Sequence, residues 1–120
     1  MTDRVRFITH QGKQILLVDL SNSPAAEVEK ILRALPDFVT TRPRSSVVAL
    51  TDFTGATLDA EGIRVLKETA IFDKPFVKKS AFLGIESFSQ GFSENVSRFS
   101  RREFPVFKTR EEALAWLVKD

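Results

Sequence analysis

The chain contains no cysteine and no tyrosine, and it has a single histidine. The first absence excludes thiol catalysis, zinc-thiolate sites and a disulfide framework, and agrees with a reducing compartment. His10 lies in a turn with no second ligand-type residue at metal spacing, so it reads as a solvent-facing turn residue. Without Cys or Tyr, and with no Ser in a nucleophile-elbow context, a nucleophile, its base and an orienting group cannot be assembled. An enzyme is therefore not expected, and Gly55 and Gly62 are too sparse for a dinucleotide fingerprint or a phosphate loop. No cofactor and no metal are expected. Apolar runs are only strand-length, far from the ~20 residues that span a bilayer, and the N-terminal stretch MTDRVRFITH is charged and alternating. These features predict a soluble, cytoplasmic protein.

Strong charge of either sign is also missing: 18 basic residues against 16 acidic ones leave a formal +2. That is too small to imply nucleic acid. Its distribution is uneven, with Arg98, Arg101, Arg102, Lys108 and Arg110 close together near the C-terminus. Arg98, Arg101 and Arg102 read either as a phosphate-attracting patch or as a helix end whose cations complement the dipole. Aromatic side chains that would stack on bases are not interleaved with them, because Phe99, Phe104 and Phe107 fall at positions expected to face the core.

What is present is a regular alternation of strand and helix signals over residues 1–120, with no repeat or linker, which reads as one domain. Val5, Phe7 and Thr9 alternate with their neighbours, Gly12 supplies a turn, and Ile15 to Asp19 is almost wholly apolar, giving an opening hairpin. Ser23 and Pro24 predict the cap and first turn of a helix carrying Val28, Ile31, Leu32 and Leu35, which Pro36 should end or kink, although Phe38 and Val39 continue the same apolar face and allow one further turn before a loop at Arg42, Pro43 and Arg44. Val47 to Leu50 is a continuous apolar run of the kind found in a strand covered on both faces. Asp52, Thr54 and Gly55 end that strand, and Thr57 is placed to cap a helix with Ile63, Leu66 and Ala70 on one face. Ser80 to Ile85 predicts a further strand. Phe88, Phe92, Val96 and Phe99 form one stripe of a third helix, Phe104 to Phe107 a short edge strand, and Thr109 to Glu112 a capping box opening a last helix. This order requires right-handed crossovers and an α/β architecture: a mixed, mostly parallel sheet of about five strands with about four helices.

VVALTDFTGATLDAEGIRVL, from Val47 to Leu66, resembles the corresponding stretch of the STAS family, the anti-sigma-factor antagonist fold, and in particular its SpoIIAA-like branch of small bacterial proteins. The family pattern is a strand, a loop of the form Asp-x-Ser/Thr-Gly, and Asp-Ser-Ser-Gly at the start of the next helix. In this register Asp59, Ala60, Glu61 and Gly62 occupy the second motif, with one residue fewer in the connection. The resemblance implies a STAS-like fold and a signalling module that binds a protein partner. In the family's antagonists the second serine is phosphorylated; that position is Glu61 here and the preceding one is Ala60, so the usual switch is not inherited. Glu61 would act as a fixed anion near a helix N-terminus, favoured by roughly 0.3–1 kcal/mol. It would imitate a phosphate only in part, since a phosphate brings about −1.5 to −2 charge. A second register places Asp52, Phe53, Thr54 and Gly55 on the motif, with Thr54 as acceptor.

The candidate partner- or anion-binding residues are thus Asp52, Thr54, Gly55, Thr57, Asp59 and Glu61. A rival reading starts from eleven phenylalanines with no tyrosine. Because the STAS fold resembles CRAL-TRIO lipid-binding domains, Phe88, Phe92 and Phe99 would line a cavity for an apolar or acyl small molecule. Neither nucleic acid nor a membrane span is expected, and self-association as a homodimer is expected only from its frequency among domains of this size.

Overall fold

Ile15, Leu16, Leu17 and Val18 are all buried because the two faces of their strand meet different layers. In the computed structural model, which describes residues 4–119, Leu16 and Val18 pack into one core cluster while Ile15 and Leu17 pack into another. The strands are β1 (Val5–His10), β2 (Lys13–Asp19), β3 (Val47–Asp52), β4 (Val77–Leu83) and β5 (Val106–Phe107), lying side by side in chain order. β1 and β2 form an antiparallel hairpin, and the remaining neighbours are parallel. Gln11 and Gly12 both have positive φ, as a two-residue hairpin turn requires.

A chain that steps in one direction across a sheet by crossovers of one hand must lay its connecting helices on one face. Accordingly α1 (Ala25–Val39), α2 (Ala60–Asp73) and α3 (Phe92–Ser100) share the larger cluster, with Val28, Leu32, Val65, Leu66, Phe92 and Val96 buried against Leu16, Val18 and Phe82. α4 (Arg110–Leu117) returns over the opposite face, where Ala113, Leu114 and Leu117 meet Ile15, Leu17, Leu50 and Ala81. β3 is the central strand and Leu50 is fully buried.

α1 runs on past Pro36 through the further turn that Phe38 and Val39 suggested and ends at Val39, where Thr40 donates both its amide and its hydroxyl to the Pro36 carbonyl, at 3.1 and 2.7 Å. Several other local expectations are corrected. Ser23 does not cap α1; its hydroxyl donates to the Ser21 carbonyl. The cap of α2 is Asp59 rather than Thr57, with Asp59 Oδ1 accepting from the Gly62 amide at 2.8 Å. β4 begins at Val77, three residues earlier than Ser80, and β5 is confined to Val106–Phe107. Phe88 precedes α3, and Phe99 is 52% exposed, because the inward line of the helix runs in four-residue steps through Phe92, Val96 and Ser100 and leaves Phe99 beside it. The Thr109 cap is as expected, its hydroxyl oxygen accepting from the Glu112 amide at 3.2 Å.

Candidate functional site

β2 and β3 end on aspartates that are register partners, Asp19 and Asp52. Each opens the same short motif, Asp19-Leu20-Ser21 and Asp52-Phe53-Thr54, in which the middle side chain is buried. Asp19 Oδ1 accepts from the Ser21 amide at 3.0 Å and hydroxyl at 2.6 Å. Asp52 Oδ1 accepts from the Thr54 amide at 2.9 Å and hydroxyl at 2.6 Å. Such Asx turns hold the backbone by local bonds where strand pairing stops. The pairing itself runs on into the loops: the Leu20 amide donates to the Asp52 carbonyl, the Asn22 amide to Thr54, the Thr57 amide to Ser23, and the Phe53 amide to Leu83.

Two glycines let these loops touch. A Cβ on Gly84 (φ +78°) would stand 2.2 Å from Thr54 Oγ1 and 2.6 Å from its amide nitrogen, and one on Gly55 (φ +70°) would stand 2.2 Å from Asn22 Oδ1. The result is a backbone-on-backbone platform at the carboxyl end of the sheet, where open α/β sheets present their sites. Two cations flank it: Arg110 Nη2 lies 3.6 Å from Asp52 Oδ2, and Arg4 Nη1 lies 3.4 Å from Asp19 Oδ1 while donating to the Ser21 carbonyl. Burial pushes the Asp19 carboxyl up, but the Ser21 hydroxyl and amide, helped by Arg4, outweigh it and hold the carboxyl below its ordinary value.

The predicted residues divide. Asp52, Thr54 and Gly55 belong to the platform, Asp52 as a buried anchor and Thr54 exposed. Thr57 joins it through its amide, with its side chain exposed. Asp59 and Glu61 start α2. Asp59 satisfies the helix's own Gly62 amide, and Glu61 is paired with Arg64 and lies 3.7 Å from Arg33 of α1. Its carboxyl is held low chiefly by the hydrogen bond from Arg64, so Glu61 is a neutralised anion rather than a free one. The sequence reading missed Asp19 and Ser21, although the repeated Asp-x-Ser/Thr at two consecutive strand ends was visible. Among the described residues no group of three or more His, Cys, Asp or Glu side chains comes together to hold a metal. The Asp19 and Asp52 carboxylates are met by arginines instead.

Phe88 and Phe92 do not line the interior cavity. They pack edge-on against Phe53, with ring centroids 5.6 and 5.7 Å away, and Phe53 in turn meets Phe82 at 4.9 Å. Phe99 lies outside, with the Lys67 ammonium 5.3 Å from its ring centre. The cavity is only about 40 Å³, between the sheet, α1 and α2, and its polar walls include Thr51, Asp73, Ser80 and Arg102. Asp73 is 4% exposed, and no donor among the described residues reaches its Oδ1. Desolvation raises its carboxyl to about 6 against the pull of Arg102.

Arg98 and Arg101 are exposed as expected, whereas Arg102 is turned inward, away from any patch. It donates to the Ala70 carbonyl at 2.9 Å and to Ser80 Oγ at 2.6 Å and stacks over Phe104, and burial lowers it to about 10.

A crystal structure of an uncharacterised protein of the DUF3478 family with a SpoIIAA-like fold, from Shewanella loihica PV-4, superposes on this chain with a TM-score of 0.73 and 18% identity, covering 94% of this chain and 91% of the other. At that identity the likeness establishes the fold alone. No family model matches the chain, and no curated protein is significantly similar to it. No helix among the described residues is long and apolar enough to cross a membrane.

Proposed function

We propose that this SpoIIAA-like domain is a non-enzymatic protein-interaction module of bacterial signalling, docking a partner on the platform formed by the loops after β2, β3 and β4. The observation that carries the reading is the platform itself: adjoining loops locked backbone to backbone, with Thr54 exposed above a buried Asp52 whose Oδ1 holds the turn by two hydrogen bonds. Preorganised loops lower the ordering cost of association. The usual serine switch is absent from this reading, because the matched positions are Ala60 and Glu61 and the Glu61 carboxylate is already shared with Arg64.

The test is crosslinking in the source cell followed by mass spectrometry. Wild type and a Lys30→Glu control on the exposed face of α1 should retain one discrete partner that Thr54→Arg loses. Equal retention by all three would remove the platform from the interface. Stoichiometric phosphorylation of Thr54 or Thr57 in the native protein would overturn the switch-free part. The apolar-ligand alternative draws no such support, since a cavity of about 40 Å³ compares with the roughly 300–1,000 Å³ of small-molecule sites. Native mass spectrometry should accordingly show the bare polypeptide mass.

A further inference from the structure

α2 and α3 lie side by side on the same face of the sheet. Residues four apart share one line of a helix, so Ile63, Lys67 and Ile71 form a line on α2, and Asn95 and Phe99 form one on α3. The Lys67 ammonium over the Phe99 ring joins the two lines, and the Arg102 guanidinium on the Ala70 carbonyl holds the C-terminal ends of the helices together. Between the lines, toward the start of α3, is a crevice of about 90 Å³ lined by Ile63, Lys67, Gln90, Phe92, Asn95 and Val96. It is well below the roughly 300–1,000 Å³ of small-molecule sites, and suits a side chain entering from outside. Toward the other end of the same two helices Ile71, Phe72 and Phe99 are 47%, 54% and 52% exposed. Adjoining exposed apolar side chains, unlike scattered ones, mark an interaction surface.

We infer that the surface between α2 and α3 takes an amphipathic helix with acidic flanks from a protein partner. One apolar side chain of that helix would enter the crevice at Ile63, Phe92 and Val96, and another, about two turns along, would settle among Ile71, Phe72 and Phe99. Lys67, Lys74, Arg98 and Arg101 take part in none of the ion pairs of the described residues. α3 has a single acid, Glu94, and the exposed acids of α2, Glu61 and Glu68, are both held by Arg64. The surface is therefore net positive and complements acidic flanks. A second copy of this chain would set these cations against their own kind, and a flat bilayer surface touches the protruding rings but does not fill a crevice between helices. The contacts use none of Asp52, Thr54 or Gly55, so the inference stands whether or not the platform docks a partner.

The probe is a capped peptide of about 14 residues, four turns of helix, with leucines at i, i+4, i+7 and i+11 and glutamates beside them. Purified, isotope-labelled protein is titrated with it by NMR, with its lysine-flanked counterpart, and with a glutamate-leucine peptide of the same composition in scrambled order. The first peptide should shift the amides of Ile63, Lys67 and Asn95 saturably and leave those of Ser21 and Thr54 in place. It should bind about tenfold more tightly than the other two. Ile71→Glu/Phe99→Glu should weaken it by about tenfold or more, whereas Lys30→Glu on the exposed face of α1 should stay within about twofold of wild type. Thermal melts check that both variants fold. Equal binding of the scrambled or lysine-flanked peptide, shifts confined to Ser21 and Thr54, or no binding at all would overturn the inference. So would Phe99-dependent sedimentation with phosphatidylserine vesicles, or Phe99-dependent dimerisation, in place of peptide binding, since the surface would then belong to a bilayer or to a second copy.

Discussion

Asp52 and Asp73 are both more than nine-tenths buried, at 7% and 4% exposure, yet their surroundings treat the carboxylate in opposite ways. At the carboxyl end of β3, Asp52 Oδ1 receives the Thr54 amide and hydroxyl, and Arg110 stands near its other oxygen. Beneath the end of α2, Asp73 Oδ1 receives nothing, and the guanidinium of Arg102 spends its bonds on the Ala70 carbonyl and Ser80. Asp73 also ends its helix, where the macrodipole disfavours an anion. Depth alone does not decide what burial costs a charge; the supply of donors does. One region is a satisfied, rigid scaffold, and the other is a carboxylate held against three unfavourable influences.

The platform breaks most easily at Gly84. A methyl group there would meet the Thr54 backbone, which cannot move without unlocking the loops, whereas one at Gly12, with the same φ of +78°, meets open space. Gly84→Ala should therefore destabilise by about 3 kcal/mol, and Gly12→Ala by only about 1 kcal/mol for the left-handed backbone. Urea unfolding measures both. Equal costs would mean that the loops after β3 and β4 do not touch as described.

Asp73 supplies the sharper contrast, because its sign is reversed. Its folded value of about 6 lies above the ordinary 3.8, so between these values the folded state holds a proton that the unfolded chain has released. Its contribution is thus most favourable below about pH 4 and is lost as pH rises through 6. The shift corresponds to about 3 kcal/mol. Asp73→Asn removes the buried charge but keeps an amide that still lacks partners, so it should stabilise by about 1–2 kcal/mol at pH 8 and by almost nothing at pH 4. Thermal melts across this range check it. A uniform destabilisation at every pH would show that the carboxylate is satisfied after all.

Of these two regions the sequence revealed one in part and the other not at all. Leu50 in a central strand and Thr109 as a cap were legible because hydrophobic period and cap chemistry are local. The choice of Asp59 over Thr57 at the start of α2 was not. Both are cap-type residues, and the deciding bond, from the Thr57 amide to the Ser23 carbonyl, joins loops far apart in the chain. Asp73 and Arg102 were hidden for the opposite reason. Charged side chains at a helix end or in a basic run read as solvated, and only the packing of α2, β4 and the segment after α3 turns them inward. Phe99 misled in the other direction: its spacing suits a core stripe, but the buried line of α3 runs through Phe92, Val96 and Ser100, and Phe99 stays outside under the Lys67 ammonium. Asp19 could have been found by setting its motif beside that of Asp52.

That pairing gives the finest test of how the platform is held. Thr54→Val removes a 2.6 Å donor from a carboxylate that is 10% exposed, while Ser21→Ala removes a 2.6 Å donor from one that is 22% exposed and has Arg4 at 3.4 Å. The loss should be about 1–1.5 kcal/mol at Thr54 and about 0.5 kcal/mol at Ser21, because water and Arg4 can take over part of what Ser21 supplied. Ser21→Ala should also let the Asp19 carboxyl rise toward its ordinary value. The Asp19 contribution, present above pH 3.8 and lost as pH falls below it, would then fade at a higher pH than in the wild type. Carboxyl titration by NMR reads this directly. If the order of the two stability losses is inverted, Asp19 rather than Asp52 anchors the loops, and the centre of the proposed docking surface moves from β3 to β2.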